Sequence, residues 1–141
     1  MENGDHDMIL ELDNPLLLPK VIDLAKRIED FPLGKFRSMV EDGFSRKDTR
    51  LIVYQKDEEI KGFIYSTIDF FDGERVAFIQ ATYIEPKMNG VGKVMLADMR
   101  KWAELKDCAY LYMITKRDET RAYERKYKFE QVGTVMRRSV K

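Results

Sequence analysis

The chain has 141 residues, of which 44% are hydrophobic and 35% charged, enough for one domain with a core of its own. Its 25 basic and 25 acidic side chains cancel, so overall charge gives no reason to expect nucleic acid or an anionic membrane as a partner. A single cysteine, Cys108, excludes an internal disulfide, and with a single histidine, His6, neither a metal centre nor a Ser–His triad is expected.

The opening residues, MENGDHD, are acidic and polar and read as a frayed leader, not a signal peptide. The longest apolar run, Leu16-Leu17-Leu18, is too short to span a bilayer. Together with the lone cysteine these features predict a cytoplasmic protein. Residues 8–12 alternate apolar and polar, a short strand, and Asn14-Pro15 breaks it. From Pro19, Val21, Ile22, Leu24, Ala25 and Ile28 form one helical face that stops before Phe31-Pro32. Phe36, Met39, Val40 and Phe44 continue at helical spacing, with Gly43 as the expected stop.

Residues 51–54 and 60–68 are rich in β-branched and aromatic side chains and flank the polar turn Lys56-Asp57-Glu58-Glu59, an antiparallel hairpin. Asp72-Gly73 is a strong hairpin turn, which makes residues 76–84 the next strand, ended by Pro86. Beyond Gly92, the residues Met95, Leu96, Met99, Trp102, Ala103 and Leu105 mark the inner face of a helix, with Lys93, Arg100, Lys101 and Glu104 outside. Residues 109–114 read as a strand, Asp118 or Thr120 as the cap of a helix running towards Lys128, and residues 130–136 as a last strand with Gly133 as a bulge. The order β-α-α-β-β-β-α-β-α-β combines hairpins with a β-α-β crossover, so a mixed sheet with helices on its faces is expected in a single domain spanning residues 1–141.

The strand that ends at Pro86 runs into Lys87-Met88-Asn89-Gly90-Val91-Gly92-Lys93 and then into a helix. A strand–turn–helix junction of this kind gathers unpaired N–H groups and the positive end of the helix dipole, a natural cradle for phosphate. A P-loop would need glycine at position 87 and Ser or Thr at position 94, where the chain has Lys87 and Val94. A dinucleotide-binding turn would need glycine at 95, which is Met95, in a strand that belongs to a β-α-β unit and not to a meander. Both patterns fail.

The stretch resembles instead the pyrophosphate loop of the GNAT N-acetyltransferases, whose signature is Arg or Gln, two residues, Gly, one residue, Gly or Ala. Here it reads Lys87-Met88-Asn89-Gly90-Val91-Gly92, and Val91, Met95, Leu96, Met99 and Ala103 fill the apolar positions that follow in that family. Glu59-Ile60-Lys61-Gly62-Phe63-Ile64 and Tyr83-Ile84-Glu85-Pro86 are similar to its hairpin and to the strand end before its loop. The similarity runs from about residue 50 to the C-terminus, with Lys87 in place of Arg or Gln and a loop two residues short. A glycine turn serving chain reversal alone is the competing reading.

The resemblance implies an α/β (α+β) fold with a mostly antiparallel mixed sheet of about six strands and helices on both faces. It implies acetyl-CoA, or another acyl-CoA, as co-substrate and transfer of its acetyl group to a primary amine of a small molecule or peptide. Backbone N–H groups of Met88, Asn89, Gly90, Val91, Gly92 and Lys93 would hold the pyrophosphate, with charge from Lys87 and Lys93. The pantetheine arm would pair with Thr82, Tyr83 and Ile84 as an added strand does. No metal, nucleic acid or membrane is implied as partner, and a homodimer is left open.

The proton chemistry is less well marked. In the family a tyrosine on the last helix protonates the leaving thiolate, in the pattern aromatic-Tyr, three residues, Gly-Phe. Here Phe129 fits the Phe and Lys128 replaces the Gly; strict counting puts Glu124 at the tyrosine position, with Tyr123 one residue early. Tyr123 and Glu124 are therefore the two catalytic candidates, against the alternative that Tyr123 and Tyr127 pack in the core. Glu85, Asp69, Asp72 and Glu74 lie near strand ends as possible bases, although charged hairpin tips are most often just solvated. Gln80 sits mid-strand where it could face a substrate. These departures also keep open a non-catalytic acyl-CoA-binding or interaction module on the same fold.

Overall fold

The computed structural model describes residues 7–114 together with 125, 127, 129, 130, 132, 136 and 138–140. Among them, strands β1 (Asp7–Leu12), β2 (Thr49–Lys56), β3 (Glu59–Phe71), β4 (Glu74–Ile84) and β5 (Tyr110–Met113) form a five-stranded sheet in the order β1-β2-β3-β4-β5. The first four pair antiparallel and β5 runs parallel to β4, the mixed arrangement expected from hairpins followed by a crossover.

Both hairpin turns use backbone with positive φ, which matches the twist of the flanking strands. At Asp72-Gly73 the angles are +54° and +78°, the conformation that its residue types predict. At Asp57-Glu58 they are +51° and +67° although neither residue is glycine.

Asn14 opens a 3-10 turn (Pro15–Leu17), its side-chain oxygen accepting the Leu16 N–H at 3.0 Å. Helix α1 (Leu18–Ala25) buries Leu18, Val21, Ile22, Leu24 and Ala25. Ile28 lies beyond its end, because the Arg27 and Ile28 N–H groups turn back to the carbonyls three residues earlier and tighten the chain out of the helix. Ile28 still packs, half-buried, on the same core. Helix α2 (Leu33–Gly43) buries Phe36 and Val40. Gly43 is its last residue with ordinary helical backbone, and a Cβ there would run into the Tyr65 hydroxyl, so close approach and not a left-handed stop explains the glycine.

Helices α1 and α2 cover one sheet face through Leu51, Val53, Phe63, Tyr65 and Ala81. Helix α3 (Val91–Leu105) covers the other, setting Met95 and Met99 against Ile52, Ile64 and Ile79. Leu105, expected inside, is exposed because it closes the last turn beyond the sheet.

The sequence pointed to about six strands, and the described residues form five. Of the expected strand at residues 130–136, the described positions 130, 132 and 136 belong to no helix or strand, and the others lie outside the described residues. Of the helix running towards Lys128, Arg125 and Tyr127 are helical, and Asp118, Thr120 and Lys128 lie outside the described residues.

Candidate functional site

Strand β4 changes neighbours halfway along. Tyr65 pairs with Ala81 but Ser66 pairs with Ile79, which leaves Gln80 as an extra residue in β4, a β-bulge. On the other edge, the parallel pairing with β5 starts at Val76–Tyr110 and ends at Ile79–Met113, beside that bulge. From residue 81 to residue 84, β4 keeps β3 as its only strand neighbour among the described residues. The side once turned to β5 therefore offers main-chain donors and acceptors to an added strand-like group.

Thr82, Tyr83 and Ile84 stand on this edge. The Thr82 hydroxyl donates to the Phe63 carbonyl at 2.9 Å, fixing its side chain to β3 and leaving the main chain as the available element. Tyr83 packs on the α1 and α2 core and Ile84 on the α3 core, so the two brace the strand from opposite faces.

The loop that follows is tight. Lys87 has φ of +69° and Gly90 +80°, and the Val91 N–H donates to the Met88 carbonyl at 3.2 Å. Helix α3 starts at Val91 with Gly90 as its cap and no side chain capping it. The N–H groups of Gly92 and Lys93 have no hydrogen-bond acceptor among the described residues, and they lie at the positive end of the helix dipole. Lys87 and Lys93 are exposed beside them.

The two glycines have different jobs. Gly90 adopts left-handed backbone, and a Cβ there would meet nothing within 4 Å. A Cβ on Gly92 would stand 2.6 Å from the Tyr127 hydroxyl and 3.3 Å from Ile84 Cδ1. Gly92 thus admits the ring of Tyr127. That contact joins Tyr127 to the loop and is not readable from the motif.

A cavity of about 700 Å³ lies alongside, lined by Lys93, Ala97 and Arg100 of α3, by Leu111 and Met113 of β5, and by Tyr127 and Phe129. It runs along β5 and not along the open edge of β4, so it shares only Lys93 with the predicted cofactor residues. Arg100, read from the sequence as a solvated outer residue, adds a second cation to its wall.

Of the proton-transfer candidates, Tyr123 and Glu124 lie outside the described residues. Glu85 is tied down, with Arg27 Nη1 at 3.2 Å and Lys61 Nζ at 3.8 Å. Both ion pairs occupy the carboxylate and offset its negative charge beside the loop into α3. Gln80 donates from Nε2 to the Thr67 hydroxyl at 2.9 Å. Asp69, Asp72 and Glu74 are exposed near the β3–β4 turn. Burial, with Glu74 as the next contribution, holds the Tyr112 hydroxyl above the ordinary phenol range, so it stays protonated and able to donate.

A bulged strand parting from a parallel neighbour, next to a helix N-terminus with free N–H groups, is a frame for a long phosphate-bearing ligand. The sequence pattern of the GNAT acetyltransferases matches residues 18–129, from the start of α1 through Phe129. The chain belongs to the GNAT acetyltransferase family. Its activity class is accordingly N-acetyl transfer from acetyl-CoA to an amine, and the open edge and loop fit that co-substrate.

Compared by sequence with curated proteins, the chain has no significant match. Among solved structures, the aminoglycoside N-acetyltransferase AAC(6')-Iy in complex with CoA superposes with a TM-score of 0.81 at 20% identity, over 95% of this chain and 94% of that one. The aminoglycoside 6'-N-acetyltransferase AAC(6')-IG from Acinetobacter haemolyticus gives 0.80 at 16% identity, over 95% and 98%. A transcriptional regulator from Bacillus halodurans gives 0.77 at 16% identity, over 95% and 99%. At these identities the likeness is one of fold, and the GNAT framework alone does not name an acceptor.

Proposed function

We propose that this GNAT protein is a cytoplasmic enzyme that acetylates a primary amine of a small molecule, working in the cleft that opens where β4 leaves β5. The observation that carries the reading is the end of parallel pairing at Ile79–Met113, beside the Gln80 bulge and directly before the loop into α3. The pantetheine arm pairs with the main chain of Thr82, Tyr83 and Ile84. The pyrophosphate takes hydrogen bonds from N–H groups in the stretch Met88, Asn89, Gly90, Val91, Gly92 and Lys93, with Lys87 and Lys93 adding charge.

In such a site the amine attacks the thioester carbonyl directly, and the protein's contribution is orientation and stabilisation of the developing oxyanion. Tyr123 or Glu124 supplies the proton to the departing thiolate. That demand is light, because a free thiol has a pKa of about 8.5 and leaves tolerably as a thiolate near neutral pH. Amino sugars head the list of acceptors to try, since structural relatives are aminoglycoside acetyltransferases.

The test is release of CoA thiol in the presence of acetyl-CoA and a panel of amines, repeated with Tyr123→Phe and Glu124→Gln. A fall in kcat of about 100-fold in one variant assigns the acid. Unchanged rates in both remove the two residues from the mechanism.

A further inference from the structure

The sheet face that carries α1 and α2 is only half covered by them. Both helices lie over the half that includes Phe63, Tyr65 and Ala81. Strand alternation continues that face beyond Tyr65 as Thr67, Asp69 and Phe71 on β3. Register then adds Glu74 and Phe78 on β4, and Tyr110 and Tyr112 on β5. Four aromatic rings meet there: Tyr112 lies 5.1 Å from Phe71, 6.2 Å from Phe78 and 6.0 Å from Tyr110, centroid to centroid. The floor they make is open, with Phe71 50% and Tyr110 55% exposed.

Carboxylates stand at its outer end. Asp69, Asp72 and Glu74 form no ion pair among the described residues. Arg75, the cation within this hairpin, falls on the opposite face and gives its Nε–H to the Lys106 carbonyl at 2.7 Å. Rings with negative faces beside carboxylates that form no ion pair among the described residues complement positive charge. A second copy of the chain packed isologously on this face would bring carboxylate against carboxylate, so the charge argues for a cationic ligand instead.

Position completes the argument. At about 3.3 Å per residue, Phe78 lies roughly 7 Å from Gln80 at the bulge and Glu74 roughly 20 Å from it. The inner end of the floor is the Gln80–Thr67 hydrogen bond, and the outer end is the acidic β3–β4 turn. We propose that this half-face is the acceptor subsite, and that it takes an oligocationic amine. One amine reaches the bulge while a second ammonium group rests over Tyr112 and Phe71 within the field of Asp72 and Glu74. The proposal rests on the reading that the acetyl group is presented at the bulge.

The test compares spermine with hexylamine, which share a reacting primary amine and differ in the extra cations. The subsite predicts a kcat/KM at least tenfold higher for spermine, carried by KM and eroded by salt. The double variant Asp72→Asn/Glu74→Gln should lower kcat/KM for spermine at least tenfold more than for hexylamine. Equal losses for both amines, or none, overturn the proposal. Calorimetric titration of spermine into the CoA-saturated protein separates the two levels of the argument. Binding that the double variant abolishes, in a protein that transfers no acetyl group, supports the subsite and contradicts the enzymatic reading. Absence of spermine binding overturns the subsite. So does a concentration-dependent dimer that Phe71→Glu dissociates, because a second copy would then own the face.

Discussion

The Tyr127 hydroxyl stands 2.6 Å from the point where a Cβ on Gly92 would be placed, so this side chain rests directly on the first turn of α3. Gly92→Ala must push that ring away or tilt α3. The expected cost is about 1–3 kcal/mol of stability together with a raised KM for acetyl-CoA. Gly90→Ala meets open space, and its cost of about 1–2 kcal/mol comes from left-handed backbone alone. Gly90→Asn should recover much of that loss and Gly92→Asn should not, a contrast that thermal melts read directly.

The bulge at Gln80 lies where β4 parts from β5. Deleting Gln80 restores one-to-one pairing with β3 and lets β4 continue alongside β5. The deleted protein should keep its far-ultraviolet circular dichroism and lose acetyl-CoA binding by calorimetry. Undiminished binding would show that the bulge does not make the cleft.

Glu85 looks like a base on position alone, but Arg27 and Lys61 hold it. Glu85→Gln should change kcat less than about threefold, whereas loss of a general base costs about 100-fold or more. Because the Arg27 side chain is largely solvated, the stability loss should stay below about 1 kcal/mol.

Burial pushes the Cys108 thiol above its ordinary range, and its Sγ lies 3.9 Å from the Lys106 carbonyl oxygen. A raised thiol pKa means less thiolate at any pH below it. Iodoacetamide at pH 7.5 should therefore modify the folded protein roughly tenfold more slowly than the urea-unfolded chain, with the folded rate climbing only at higher pH. Cys108→Ser should leave acetyl transfer unchanged.

Much of the frame was legible because local chemistry dictates it. Asp72-Gly73 has the residue types that a positive-φ turn demands, and the spacing of Met95, Met99 and Ala103 names the buried face of α3. Asp57-Glu58 forms the same kind of turn without a glycine, held by the strands on either side and not by its own preference. Leu105 and Ile28 carried the right spacing but fall at or past helix ends, where the periodic pattern no longer tells inside from outside. The loop and its glycines could be aligned from the motif, but the contact of Gly92 with Tyr127 joins residues far apart in the chain and depends on tertiary packing. The Gln80 bulge and the ring cluster around Tyr112 arise from pairing between distant strands, which no single stretch of sequence encodes.

The activity proposed is amine-dependent acetyl transfer at the cleft beside Gln80. The most direct measurement is release of CoA thiol from acetyl-CoA with and without each amine of a panel, with mass spectrometry of the product. Thiol release should require the amine, and the product should be heavier by one acetyl group. Tight acetyl-CoA binding with no amine-dependent release across simple, sugar and oligocationic amines would contradict that activity.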